Sequence, residues 1–206
     1  MKQDSACKLC RREGKKLFLK GEKCLSPRCP FVRRSYAPGQ HGQYHKKLSD
    51  YGKQLREKQR AKRTYGLREV QFKNYYKKAS RKSGDTGELL LSFLEGRLDN
   101  VVYRLGLAGS RAQARQLILH GHFSINKKKV NIPSYLVKPK DDIEIAKKSQ
   151  GLSIFKDIKK VLKDVTVPAW LKLTQEKMAG QVLHLPKKEE IETDIDPAQI
   201  IEFYSR

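Results

Sequence analysis

Residues 1–82 hold 25 lysines and arginines against only six acidic residues, and this imbalance is the strongest constraint on what the chain can fold into. The remaining 124 residues hold 20 against 16, so nearly all of the net charge of +23 is concentrated in the first part. Packing so much like charge into a compact body costs self-repulsion, which a polyanion laid against it relieves. Nucleic acid is the expected partner. A membrane surface also attracts basic chains, but the longest apolar run, LLLSFL at 89–94, is far too short to span a bilayer. The start, MKQDSACKLC, has no apolar secretory core, so a soluble intracellular protein is expected.

Large apolar side chains are sparse in residues 1–45, so this stretch cannot order itself by burial alone. It carries instead all four cysteines, as Cys7-x2-Cys10 and Cys24-x4-Cys29. Two close pairs at this separation suit a tetrahedral ion held by four thiolates, and one Zn2+ is the expected cofactor. Binding it supplies on the order of 10–16 kcal/mol in small zinc domains. An iron-sulfur cluster takes the same four ligands, and disulfides suit a secreted chain. His41-x3-His45 has ligand spacing too, but APGQHGQYHKK reads as a Pro/Gly-rich loop in which a histidine meets a phosphate.

From Ser49 to about Gly66 the sequence predicts a helix with Ser49 as N-cap. Tyr51, Leu55, the stems of Lys58 and Lys62, and Tyr65 lie along one stripe, while Lys53, Arg56, Arg60 and Arg63 occupy the other sides. Arg33, Arg34, His41, Arg56, Lys58, Arg60, Lys62 and Arg63 are the RNA-contact candidates of this half. A second helix is expected before Gly84, with Val70, Phe72, Tyr75, Tyr76 and Ala79 apolar. The six acids are scattered, which excludes the carboxylate cluster of a metal-dependent nuclease.

Residues 88–105 predict one core-facing helix ending at Gly106, with Arg97 and Arg104 sharing a side. Ser110 and Gln113 then form a capping box, and Gly121 stands at a left-handed C-terminal cap. Beyond it, Phe123 and Ile125, then Val130 and Ile132, alternate as strands joined by a tight turn at NKKK, and DDIEIA supplies a third. Arg97, Arg104, Ser110, Arg111, Gln113, Arg115, His120, His122, Asn126, Lys127, Lys128 and Lys129 are the RNA-contact candidates here. Forked guanidiniums, lysine point charges and a helix N-terminus all suit phosphate oxygens. His120 and His122 have no carboxylate or nucleophile at suggestive spacing, so no catalytic residue is assigned.

The stretch RLDNVVYRLGLAGSRAQARQLILHGHFSINKKKVNIPSYLVKPKDDIEI resembles the S-four RNA-binding domain. With the cysteine-bearing start, SYAPGQHGQ, DYGKQLREKQRAKRTYGL, AWL near 170 and the ending IIEFYSR, the whole chain is similar to the bacterial-type S-four family of small-subunit ribosomal proteins. The resemblance implies an α+β fold. A basic, mostly helical domain with an N-terminal metal knuckle is joined to a small module of two helices on a short antiparallel sheet. The expected divisions are a metal-binding extension at 1–45, a helical domain from 46–92 and 147–206 with its tail packed back, and the module at 93–146.

The same resemblance implies a structural, non-enzymatic constituent of the small ribosomal subunit. Its expected work is to bind ribosomal RNA early, to start assembly of the 5′ domain and to contribute to decoding accuracy. The implied partners are small-subunit ribosomal RNA, the fifth protein of that subunit and messenger RNA where it enters, with no membrane and no small-molecule substrate. Some relatives repress their own messenger or act in transcription elongation. The expected location is the cytoplasmic ribosome, with an organelle ribosome as the alternative. Many relatives lack the cysteines, so the metal is carried over only because Cys7, Cys10, Cys24 and Cys29 are all present. An RNA-modifying enzyme would use the same module, yet neither the first 82 residues nor the tail resembles a catalytic domain. A free-standing regulator of messenger or nascent transcripts shares every binding feature and differs in where it resides.

Overall fold

The structure, a computed structural model, describes residues 5–44, 47–162, 165–191 and 193–206. His45 therefore lies outside the described residues. The chain forms two compact units: residues 1–87 with 194–206, and residues 88–193. The α+β class expected from the sequence is observed.

The first unit is helical. Three short helices, α1 (Ala6–Glu13), α2 (Glu22–Leu25) and α3 (Pro30–Arg33), carry or flank the cysteines. The long basic helix α4 (Asp50–Thr64) starts where Ser49 Oγ accepts the Gly52 N–H at 3.2 Å, as its N-cap signal predicts. It stops at Gly66, whose φ of +63° lets Leu67 N–H reach Lys62 O. The buried stripe of α4 is Gln54, Lys58, Ala61 and Tyr65, while Tyr51 is half exposed. Helix α5 (Glu69–Ser80) buries Phe72 and Ala79.

Helix α6 (Thr86–Glu95) begins at the division between units, and α7 (Leu98–Arg104) follows it. The single helix expected over 88–105 is thus two. Arg97 is extended (φ −75°, ψ 139°) and forms a β-bridge with Leu136, while Leu98 and Asp99 donate their N–H groups to Tyr135 O and Pro133 O. A segment some 35 residues distant therefore satisfies the donors of a new helix start, which no local signal announces.

Helix α8 (Arg111–Leu119) has the expected Ser110 cap, and Gly121 ends its turn at φ +71°. Strands β1 (Phe123–Ile125) and β2 (Lys128–Val130) are joined through Asn126 and Lys127, both at positive φ. This two-residue turn places Lys128 and Lys129 on β2 itself. Ile132, expected to continue the alternation of this strand, is exposed because β2 stops at Val130. Strand β3 (Asp142–Ile145) buries Ile143 and Ile145.

Residues 147–206 depart from the expected division. After α9 (Ser153–Val161), strands β4 (Leu171–Thr174) and β5 (Ala179–Val182) complete an antiparallel sheet of order β2-β1-β3-β5-β4. Residues 147–193 therefore group with the module, and only the last thirteen return to the first unit. Trp170, Leu171, Met178 and Val182 join Leu98, Val101, Leu105, Phe123 and Ile143 in one core. Gly180 permits this approach, since a Cβ there would lie 2.4 Å from Leu105 Cδ1. The ending IIEFYSR lies in helix α10 (Pro197–Tyr204) and its exit, started by Asp196 as N-cap and Pro197 in the first turn.

Candidate nucleic-acid interface

The cations of α4 meet carboxylates that the sequence shows as scattered. Arg56 Nη1 lies 3.3 Å from Glu13 Oε1, and Arg63 bonds the same oxygen. Arg60 bonds Glu57 and the Asp194 carbonyl. Lys58 Nζ donates to Glu69 Oε1 at 2.6 Å and Lys62 Nζ to Glu69 Oε2 at 2.9 Å, while the Tyr204 hydroxyl donates to Oε1 at 2.9 Å. Burial alone would raise the Glu69 carboxyl, but these three donors outweigh it and hold the group at about 2.

Lys58 is therefore corrected as an RNA contact. It is 5% exposed, with its ammonium 4.4 Å over the Phe203 ring, and it serves the packing of α4 against α10. Arg56, Lys62 and Arg63 keep part of their surface open beside their acidic partners, whereas the Arg60 side chain is nearly enclosed. Arg33 and Arg34 are exposed at the end of α3, and His41 is exposed with its ring 6.1 Å from that of Tyr44.

In the module, two more cations are engaged in packing. Arg97 is fully buried, donating from Nε and Nη2 to the Asp99 carboxylate at 3.1 and 2.7 Å, so its assignment as an RNA contact is overturned. Because the helix breaks at Arg97, it does not share a helix face with Arg104, which forks onto Glu95 with both bonds at 3.1 Å. Arg111 donates to Asn100 Oδ1 at 2.8 Å and stacks 4.6 Å over Tyr103, and Arg115 stands 3.8 Å from Asp99. Both remain partly exposed on the first turns of α8.

Ser110 Oγ accepts the Gln113 N–H, and Gln113 Oε1 accepts the Gly109 N–H, so both side chains are committed to the cap. Asn126 bonds Asp141 and the Asp142 N–H, fixing the hairpin turn. His120, Lys127, Lys128 and Lys129 are exposed. Gly121 brings three basic groups together: a Cβ on it would stand 2.2 Å from Lys129 Cε, and the His120 and His122 ring centroids are 6.0 Å apart. His122 Nδ1 is 2.8 Å from Ser149 Oγ. Burial, then the fields of His120 and Lys129, lower its pKa. Exposed Lys138, Lys140, Lys147 and Lys148 widen the basic surface; only their charge marked them in the sequence.

The four cysteines are free thiols, with Cys10, Cys24 and Cys29 buried. Burial pushes the Cys10 thiol up; a Leu17 backbone hydrogen bond opposes this, and Cys24, Cys7 and Cys29 add to the rise. Cys24 Sγ accepts the Lys20 N–H at 3.3 Å. Enclosed sulfurs with backbone N–H donors suit thiolates around a cation, which would reverse that mutual repulsion. Among the described residues, no group of three or more His, Cys, Asp or Glu side chains is arranged to hold a metal ion as it stands.

Residues 2–95 match the ribosomal protein S4/S9 N-terminal domain, and residues 96–143 match the S4 domain. The small ribosomal subunit protein uS4 of Dictyoglomus thermophilum is 57% identical over 200 residues, covering 97% of this chain and 96% of the relative. The uS4A protein of Alkaliphilus metalliredigens is 54% identical over 203 residues, 98% of each chain. The chain belongs to the S4 family of ribosomal proteins. The S4 family is structural and non-enzymatic, in keeping with the catalytic residues left unassigned above. The S4 domain match begins at Gly96, where α6 gives way to α7, and ends within β3.

Proposed function

We propose that the chain is a primary binder of small-subunit ribosomal RNA that starts assembly of the 5′ domain and contributes to decoding accuracy. As an S4-family member it is a ribosome-bound structural constituent that binds ribosomal RNA within the small subunit. The observation that supports the RNA-binding part of this reading is the exposed basic row His120, Lys127, Lys128 and Lys129 at the α8–β1–β2 corner, joined by part-exposed Arg111 and Arg115. Helical RNA hides its base edges in a narrow groove, so such cations recognise shape, phosphates and 2′-hydroxyls. In the first unit, Arg33, Arg34, His41, Arg56, Lys62 and Arg63 extend the same chemistry.

The fifth small-subunit protein and incoming messenger are the proposed neighbours, and binding to its own messenger is a proposed regulatory use of the same surface. The cytoplasm is the proposed compartment, and no helix among the described residues is long and apolar enough to cross a membrane. Cys7, Cys10, Cys24 and Cys29 are proposed to hold one Zn2+ that ties together the three short N-terminal helices. The four ligands are equally those of an iron-sulfur cluster, and metal analysis of purified protein decides between the two.

The deciding experiment is a titration of small-subunit ribosomal RNA with the full chain at several salt concentrations. Each neutralised phosphate contributes about 0.7 to 0.9 to the slope of log K against log salt. A steep slope, a preference over unrelated RNA and co-sedimentation with small subunits through a high-salt wash are expected. A slope near zero refutes the proposal.

A further inference from the structure

Glu13 is the last residue of α1, and a carboxylate is disfavoured there on two counts. It stands at the carbonyl end of the helix dipole, and its side chain is only 1% exposed. Burial pushes its carboxyl up from the ordinary value, opposed by Arg56, Arg63, Arg12 and Arg60. One oxygen, Oε2, is buried and has no hydrogen-bond partner among the described residues. The other is shared by Arg56 and Arg63, which lie 43 and 50 residues further along the chain. A group this costly to its own helix is explained by what it holds.

Arg56 and Arg63 stand seven residues apart on α4, about 10 Å along the helix axis. Their side chains are 31% and 21% exposed, so each guanidinium is pinned on one side and keeps surface for a ligand on the other. An unpinned arginine loses rotamer freedom when a phosphate fixes it, and a pinned one has already lost much of that.

We infer that Glu13 is a positioning residue for RNA recognition: its carboxylate aims the Arg56 and Arg63 guanidiniums, so that the first unit tells its own RNA site from other duplexes. This rests on the reading that the basic helix α4 meets ribosomal RNA. It also predicts the opposite of simple charge counting, by which removing a negative group near phosphates strengthens binding.

The test compares the full chain, purified with whatever metal it carries, with Glu13→Gln, measuring Kd for a small-subunit ribosomal RNA transcript and for an unrelated duplex of equal length in one salt buffer. The ratio of the two affinities is expected to fall about tenfold in the variant, with the unrelated duplex bound at least as tightly as before. In an Arg56→Lys, Arg63→Lys background, Glu13→Gln is expected to change the ratio less than about twofold, because the groups it aims are gone. A merely structural role does not produce that non-additivity. An unchanged ratio in Glu13→Gln, or an equal loss in both backgrounds, overturns the inference. Should Glu13→Gln lower helix content, Glu13→Asp decides: it keeps the charge but draws the carboxylate back, so the ratio must still fall, and an unchanged ratio overturns the inference. A parent chain that does not discriminate between the two RNAs refutes the proposed function itself, whereas a discriminating parent with an indifferent Glu13→Gln refutes only the positioning role.

Discussion

Replacing Glu69 by Gln removes the carboxylate on which α4, α5 and α10 meet. Glu69 takes Lys58, Lys62 and the Tyr204 hydroxyl at 2.6, 2.9 and 2.9 Å, and the Lys58 side chain is only 6% exposed. Breaking a buried ion pair by deleting one partner costs roughly 3–5 kcal/mol. Here the Phe203 and Tyr204 rings, 4.4 and 5.6 Å from the ammonium, continue to stabilise Lys58, and Glu69 itself is 43% exposed. The expected loss is therefore about 2–3 kcal/mol, confined to the first unit.

The pH dependence follows from the same contacts. Because the folded-state value of about 2 lies below the ordinary 4.5, this contribution is fully present above the unfolded value and lost as pH falls toward 2. At 1.36 kcal/mol per pH unit the full shift is roughly 3 kcal/mol, which solvent screening of a partly exposed carboxylate reduces to about 1–2. Native-state hydrogen exchange of α4 and α5 amides reads this unit separately from the module. The parent–variant gap is expected to narrow from about pH 5 down to about pH 2. A variant within about 0.5 kcal/mol of the parent at neutral pH, or a gap independent of pH, refutes the reasoning.

Arg97→Ala leaves the buried Asp99 carboxylate with only the more distant Arg115 as an ion-pair partner among the described residues and is expected to cost the module about 3 kcal/mol, seen as a lower Tm with an unchanged salt slope for RNA in the folded protein. Replacing Lys127, Lys128 and Lys129 together by Ala removes exposed charge, so the Tm should stay put while the slope of log K against log salt falls by about 2 to 3. Chelation of purified protein, or Cys24→Ser, is expected to lower first-unit helix content in circular dichroism and to leave the Trp170 fluorescence of the module unchanged. An equal response from both units would count against a metal confined to the N-terminal segment.

Local signals in the sequence located much of the module. The Ser110 cap, the Gly121 left-handed turn and the alternation of Phe123 and Ile125 each act within a few residues, where backbone and side-chain geometry decide. Strands β4 and β5 are legible only in part: Leu171 and Leu173 alternate with Lys172 and Thr174, but β5 pairs with β3 far upstream (Glu144 with Ala179, Asp142 with Gln181), and β4 joins the sheet only through β5. The Asp196–Pro197 pair is a local helix-start signal for α10 in the tail.

The amino-acid order alone determined the chain's electrostatic character, its cysteine pairs, the starts and stops of α4 and α8, and the kind of partner it suits. It did not determine which cations remain for that partner. Lys58 meets Glu69, Arg63 meets Glu13, and Arg97 turns inward where the chain bends at Gly96. Charge counts are additive along a sequence, but an ion pair needs two groups within a few ångströms, and only the folded chain brings together residues 50 or 135 positions apart.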